Sequence, residues 1–373
     1  MKKVLYIVST LSRCGPNNQL FNIIKYLDRD KFEPYLITLS PEQKDSRWDD
    51  YKQLGVKLYS LNLSRFSGFF FSKNNVSKIV NEIKPDLIHT QGIRADTISS
   101  SLNLKLPKIC TVRNFPQEDY VMTYGRLKGY LMVYQHVKAF RKLACCVGVS
   151  QAVERNLKDK FNVLKTHSIT NGVDTEIYFP AASEERIKLR EKYKIPQDSN
   201  VWISSGHLSV RKDPVFLINY WKNNFANDLK NILLFIGGGD LHGECLSLAS
   251  TANNIRVLGR VSNVSDFLQA SDYFVSASKA EGLPNTVIEA LACGLPVLLS
   301  NIGPHREIFD MDEKIGSLFN LNDENMFSVG VAHILAQNKE NISASALRLA
   351  EQRLSAKKMS DRYQKLYFSH IKA

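Results

Sequence analysis

Short apolar runs rich in β-branched residues alternate along the whole chain with longer segments of helical period. In the first half the runs predict strands at residues 4–8, 34–39, 57–61, 87–89, 108–112 and 144–149. The second half restarts the pattern, with strands predicted at 201–205, 231–236, 255–258, 273–277 and 296–300. Residues 17–27 carry Leu20, Ile23, Ile24 and Leu27 on one helical face. Pro214 after Asp213 suits a first helical turn, another helix opens near Pro284-Asn285 with Gly294 as its stop, and residues 347–373 read as helix. Strands alternating with helices predict βαβ units and an α/β fold of parallel sheets. A polar stretch at 180–200, containing Pro196, separates the two runs of the pattern and places a domain boundary at Pro180.

A chain of 373 residues is too long for one ordinary core and suits two. No apolar run approaches the roughly 20 residues that span a bilayer. Met1-Lys2-Lys3 and the apolar residues after it imitate a signal peptide, but Ser9, Thr10 and Ser12 interrupt them, so a buried first strand is expected. The six cysteines have no metal-ligand spacing and read as reduced, structural residues of a cytoplasmic protein.

Of the net charge of +12, residues 1–180 hold nearly all, with 27 Lys+Arg against 16 Asp+Glu; the remainder holds 22 against 21. Such asymmetry suggests an anionic surface as partner. Phe66, Phe69, Phe70 and Phe71 lie between Arg65 and Lys73, and residues 125–143 mix aromatics with Lys and Arg. Both suggest a peripheral face on the cytoplasmic membrane; the other reading is a cluster at a core edge or between domains. No nucleic-acid-binding module is visible, so nucleic acid is not an expected partner.

The richest stretch runs from Glu281 through Glu289 to Gly294. Glu281 precedes the predicted helix and Glu289 lies about a turn inside it. Helical side chains lean toward the N-terminus, so both carboxylates can face one site. Free N–H groups and the helix dipole between them would favour an anion. Ser205-Gly206-His207-Leu208-Ser209-Val210-Arg211-Lys212 gathers cations at another strand end, where Arg211 stands beside Lys212 and can add charge that His207 lacks, although neighbouring side chains ordinarily diverge. Asn171-Gly172 is a turn signal, and Gly15 sits in the turn between the first strand and the first helix. Strands end near His89, read as a packed residue, and at Arg113, read as either a binding residue or half of an ion pair. Gly237-Gly238-Gly239 lacks the third glycine spacing of a dinucleotide turn, which leaves an oxidoreductase a remote alternative.

Glu281, seven residues, then Glu289 resembles the donor motif of the retaining glycosyltransferases of family 4, which have the GT-B fold. The resemblance extends to Gly15, to the Asn171-Gly172-Val173-Asp174 segment and to Lys212. It implies two Rossmann-like parallel-sheet domains facing a central cleft, with the last helix packing back on the N-terminal domain. Residues 1–180 would bind acceptor, 181–355 the nucleotide sugar, and 356–373 form the returning helix. By the same resemblance Glu281 holds the donor sugar and Glu289 the ribose, while Asn285, Thr286, Gly206 and Gly15 approach the diphosphate. Lys212, His207 and Arg211 neutralise it, and Arg113 stands on the acceptor side. Cys14 replaces the first glycine of the pair that Gly15 completes, and two further positions depart from the family: His207 replaces an Arg, and Arg113 stands where relatives carry a His. They keep open an inactive, sugar-binding relative. The implied activity is transfer of a sugar from a nucleoside diphosphate, UDP before GDP, to a hydroxyl of a lipid-linked saccharide, with retention, in surface polysaccharide synthesis. No metal is expected, because cations and the helix dipole carry the charge and no Asp-x-Asp pair sits in a suitable loop.

Overall fold

A computed structural model describes residues 1–226 and 228–372. Ala373, the final residue of the predicted C-terminal helix, lies outside the described residues. The chain forms two compact units, Met1–Gly172 with Ala356–Ala373, and Val173–Ser355.

The first unit begins β1 (Lys2–Val8), α1 (Gly15–Lys25), β2 (Phe32–Thr38), α2 (Trp48–Gln53) and β3 (Lys57–Ser60). It continues with α3 (Arg65–Ile83), β4 (Leu87–Gln91), α4 (Ile93–Ser101) and β5 (Lys108–Val112). Then come α5 (Pro116–Tyr124), α6 (Arg126–Phe140), β6 (Cys145–Gly148), α7 (Gln151–Phe161) and β7 (Thr166–Ser168). Its seven strands pair in parallel in the order β3-β2-β1-β4-β5-β6-β7, so the direction of winding reverses between β1 and β4. β1 is buried from Val4 onward, as the apolar run predicts.

The second unit contains α8 (Ser183–Lys192), β8 (Asn200–Ser205), α9 (Pro214–Asn224), β9 (Asn231–Ile236) and α10 (His242–Ala249). β10 (Ile255–Val257), α11 (Val264–Ala270), β11 (Tyr273–Ser276), α12 (Asn285–Ala292) and β12 (Val297–Ser300) follow. It ends with α13 (Gly303–Phe309), β13 (Gly316–Phe319), α14 (Glu324–Ala336) and α15 (Lys339–Arg353). The parallel order is β10-β9-β8-β11-β12-β13, reversing between β8 and β11. Its core packs Trp202, Trp221, Phe235, Phe319 and Phe327. Before β11, buried Asp272 takes Arg186, Arg190 and Lys339 together, tying α8 and α15 to the end of the sheet away from the candidate residues.

The predicted helix at 347–373 is two helices. α15 stops at Arg353, Leu354 and Ser355 intervene, and α16 (Ala356–Lys372) then joins the first unit. The break has a reason in the backbone: Val173 N–H donates to the Leu354 carbonyl at 2.8 Å, and Val173 pairs with Ser355. The chain passes between the units twice. The first comes at Gly172–Val173, ahead of Pro180. In its own unit, α16 places Met359, Tyr363 and Tyr367 in the core beside α1.

Candidate functional site

In open parallel sheets, ligands gather at the carboxyl ends of strands beside the reversal point. The second unit has its candidate residues there. The loop after β8 carries Gly206, His207, Arg211 and Lys212; the loop after β11 carries Glu281. Gly237 makes this arrangement possible, since a Cβ on it would stand 1.8 Å from the Gly206 carbonyl oxygen. The glycine run after β9 thus serves close backbone packing against the β8 loop, a role different from a dinucleotide turn.

Glu281 is 6% exposed and accepts two cations at once. Arg211 Nη1 lies 2.9 Å from Oε2 and Lys212 Nζ 2.5 Å from Oε1. Arg211 also donates to the Ala280 carbonyl at 2.7 Å. Neighbouring side chains ordinarily diverge, but these two converge on one carboxylate. Arg211 and Lys212 lie in a turn that ends at Asp213 with φ 49°, outside any regular element, so both can swing to one carboxylate. Burial raises the Glu281 pKa, but the charges of Lys212 and Arg211 outweigh it and hold the group at about 2.

Glu289, inside α12, has the opposite state. Its carboxylate makes no hydrogen bond or ion pair among the described residues, and burial pushes it up to about 7 against the pull of Lys212. The side chain is only half-buried. Asn285 and Thr286 form the first turn of α12. Pro284 precedes them without a side-chain cap, and Thr286 Oγ1 is buried with no hydrogen-bond partner among the described residues. The helix stops at Ala292 with Gly294 beyond, as the sequence predicts. Gly206 lies under the Lys212 side chain, 3.3 Å from Cε by an added Cβ. His207 does not join the cluster: its ring is exposed at the loop tip.

One residue of this site carries no sequence signal of its own. His305, third in α13, is fully buried, and burial lowers it to about 4 although the Glu281 charge opposes that shift. Only the fold brings a strand-end histidine after β12 to a glutamate after β11.

The first unit has its own concavity, a cavity of about 770 Å³ at the ends of β1, β4 and β5. Ser9, Cys14, Gln91, Arg113, Asp119 and Tyr120 are among its lining. Gly15 is the first residue of α1 and has no positive φ, so it acts as a helix start rather than a strained turn. Arg113 is half-buried and donates to Gln91 Oε1 at 2.8 Å, Asn171 Oδ1 at 3.0 Å and the Pro16 carbonyl at 3.3 Å. No carboxylate pairs with it among the described residues, which removes the ion-pair reading. His89 is a packed strand-end residue: its ring nitrogens reach Tyr367 and Thr111, each at 2.8 Å, and burial lowers it to about 3.

A chain of groups not visible in the sequence backs the cavity wall. Thr90 Oγ1 donates to Asp96 Oδ1 at 2.5 Å, Asp96 Oδ2 meets His136 Nε2 at 2.7 Å, and His136 Nδ1 meets the Tyr120 hydroxyl at 2.6 Å. Gly129 permits it, because a Cβ there would strike the Val121 backbone at 2.6 Å and part α5 from α6.

Around the start of α3 the four phenylalanines are bare: Phe66 and Phe69 are 79% and 80% exposed, Phe70 and Phe71 58% and 57%. They belong to no core of their unit. Leu127, Tyr130, Leu131 and Tyr134 on α6 are exposed as well. No helix among the described residues is long and apolar enough to cross a membrane. Five cysteines are buried and Cys14 is exposed, all unbridged.

The family model described as Glycosyltransferase Family 4 matches residues 14–177, and that described as Glycosyl transferases group 1 matches residues 185–349. The chain is similar to the O-antigen biosynthesis glycosyltransferase WclY of Escherichia coli, 23% identical with 98% of each chain covered. It is similar also to the Escherichia coli UDP-Gal:alpha-D-GlcNAc-diphosphoundecaprenol alpha-1,3-galactosyltransferase, 24% identical over 73% of this chain and 72% of that one. Among solved structures, Anabaena HepE in complex with UDP and glucose shares the fold, with a TM-score of 0.81 and 17% identity over 99% of this chain and 100% of that one.

Proposed function

The chain belongs to glycosyltransferase family 4, a GT-B glycosyltransferase of polysaccharide biosynthesis, and from that premise we infer its donor, acceptor and mechanism. It moves a sugar from a nucleoside diphosphate, UDP in preference to GDP, to a hydroxyl of a lipid-linked saccharide, with retention of configuration. The observation that carries this reading is the pair of unlike carboxylates at α12. Glu281 is held ionised by two cations, and Glu289 has no hydrogen-bond or ion-pair partner among the described residues.

In this reading Glu289 accepts the ribose hydroxyls and Glu281 the hydroxyls of the sugar. Lys212 and Arg211 stabilise the departing diphosphate together with the N-terminal N–H groups of α12 and the backbone at Gly206 and Asn285. Preorganised charge of this kind is usually the largest catalytic contribution in group transfer. These groups do the work without a metal ion, so a chelator should leave the rate unchanged. His207, exposed, adds at most a screened contact to the diphosphate. UDP occurs in the HepE complex and a UDP-sugar in the name of the galactosyltransferase relative, which favours uridine.

Isothermal titration with UDP and GDP in magnesium-free buffer tests the donor site. One nucleotide should bind, and Glu289→Ala and Lys212→Ala should both weaken it. A folded protein that binds neither would refute the reading.

The acceptor side rests on the first unit, with Arg113 at the cavity wall and the bare phenylalanines directly after Arg65, another lining residue. An aromatic and basic face suits peripheral attachment to an anionic leaflet. Vesicles containing phosphatidylglycerol should bind the protein more tightly than neutral ones, and Phe69→Ser with Phe70→Ser should weaken that binding. Equally negligible binding to both kinds of vesicle would remove the membrane face from the proposal.

A further inference from the structure

His305 is held in one tautomer by its neighbours. Its Nδ1 lies 2.9 Å from the Ser300 carbonyl oxygen and 3.1 Å from Ser300 Oγ. The carbonyl can only accept, so Nδ1 carries the proton. Ser300 Oγ gives its own proton to the Ser278 carbonyl at 2.6 Å and has only lone pairs left for the ring. Nε2 is therefore a bare acceptor. It is also buried and without any partner among the described residues. Leaving such an atom unpaired is costly, and proteins keep one where something else supplies the donor.

The surroundings limit what that donor can be. The charges of Glu281 and Lys212 both act on the ring. Glu281 is a second acceptor, and Lys212 is engaged with it. A carboxylate oxygen arriving at Nε2 would bring a lone pair against a lone pair within the field of the Glu281 charge, whereas a hydroxyl would give Nε2 the proton it lacks. Burial keeps the ring uncharged at neutral pH, so Nε2 remains an acceptor in use.

We propose that His305 Nε2 accepts a hydrogen bond from a hydroxyl of the donor's sugar and makes this site select neutral, hydroxyl-bearing sugars over uronic acids. The proposal rests on the donor-site reading given above. His305 is then a specificity residue of the sugar subsite, and the nucleotide alone does not touch it.

Two substitutions separate the functions of the two ring nitrogens. His305→Asn keeps a donor for the Ser300 carbonyl and removes the acceptor at Nε2. His305→Gln restores an acceptor near that position and gives up the bond to Ser300. The experiment is titration of wild type and both variants with UDP and GDP, with UDP-glucose, UDP-galactose, UDP-N-acetylglucosamine and GDP-mannose, and with UDP-glucuronate. Thermal melting of each protein checks that it is folded. The readout is the ratio of Kd for nucleotide sugar to Kd for the parent nucleotide.

His305→Asn should leave the nucleotide Kd within about twofold of wild type and worsen the ratio for the preferred neutral sugar about tenfold, one good hydrogen bond. His305→Gln should recover part of that loss, and wild type should bind UDP-glucuronate less tightly than the neutral sugars. An unchanged ratio in His305→Asn overturns the proposal, and so does an equal loss for sugar and bare nucleotide, which would mark a structural role. Wild type that binds no nucleotide overturns the donor-site reading itself, and this inference with it.

Discussion

The two units treat positive charge in opposite ways. In the first, Arg113 donates among the described residues to neutral oxygens, and the cavity it lines also has Arg65, Arg94 and Lys128 alongside the carboxylate of Asp119. In the second, Arg211 and Lys212 are both committed to Glu281. Charge left uncancelled attracts at a distance. Charge already paired acts only when a ligand offers a better partner. Under the proposed function, the first unit would draw an oxygen-rich molecule in and the second would exchange one ion pair for another. A diphosphate that takes Lys212 from Glu281 would free that carboxylate for a sugar hydroxyl, which makes binding of the two halves of a donor mutually dependent.

Lys212→Ala breaks the exchange and should have the largest effect. The transfer rate should fall about 10²–10³-fold, the usual loss for one donor to a developing negative charge, as measured by kcat/KM for the nucleotide sugar. Survival of the rate would mean that Arg211 alone carries the diphosphate.

Next comes stability against pH, where the two glutamates should act in opposite directions. Glu281 is lowered from 4.5 to about 2, so its contribution is present above pH 4.5 and lost as pH falls toward 2. That contribution is on the order of 3 kcal/mol. Glu281→Gln should flatten this acid limb in chemical-denaturation titrations. Glu289 is raised from 4.5 to about 7, so its contribution is present below 4.5 and lost as pH rises through 7. Glu289→Gln should therefore stabilise the protein above pH 7, by about 1–2 kcal/mol once its partial exposure is allowed for. The same titration should make wild-type affinity for nucleotide rise between pH 6 and 8, with Lys212, Tyr178 and Cys293 the other groups near that carboxylate.

Arg113→Gln gives the smallest effect and sharpens the contrast. Transfer should fall about tenfold, the worth of a hydrogen bond to a charged group, while nucleotide affinity measured by calorimetry stays unchanged. Loss of nucleotide binding in this variant would move Arg113 to the donor side.

Much of this architecture was legible because burial on both faces of a parallel strand leaves an apolar run, and eleven such runs were readable. β7 escaped because Thr166, His167 and Ser168 are polar and partly exposed, and β13 because Gly316 and Ser317 break its apolar pattern. The spacing of Glu281 and Glu289 is a local property of one loop and one helix, so it could be read directly. His305 lies 24 positions beyond Glu281, and Asp96 meets His136 across 40. Nothing in composition or period marks contacts like these; they exist only once parallel strands set their ends side by side. The convergence of Arg211 and Lys212 was hidden for another reason. Side-chain directions follow from sequence inside helices and strands, and this pair lies in neither.

The return of α16 fixes an order of events during synthesis. Tyr363 and Tyr367 close the core of the first unit around His89, yet they leave the ribosome only after every residue of the second unit. Domains made early usually fold early. Here the unit that starts the chain receives its last core residues only after the unit encoded in the middle has been made. A chain ending before Ala356 would carry every residue of the second unit but lack the tyrosines that close the first around His89.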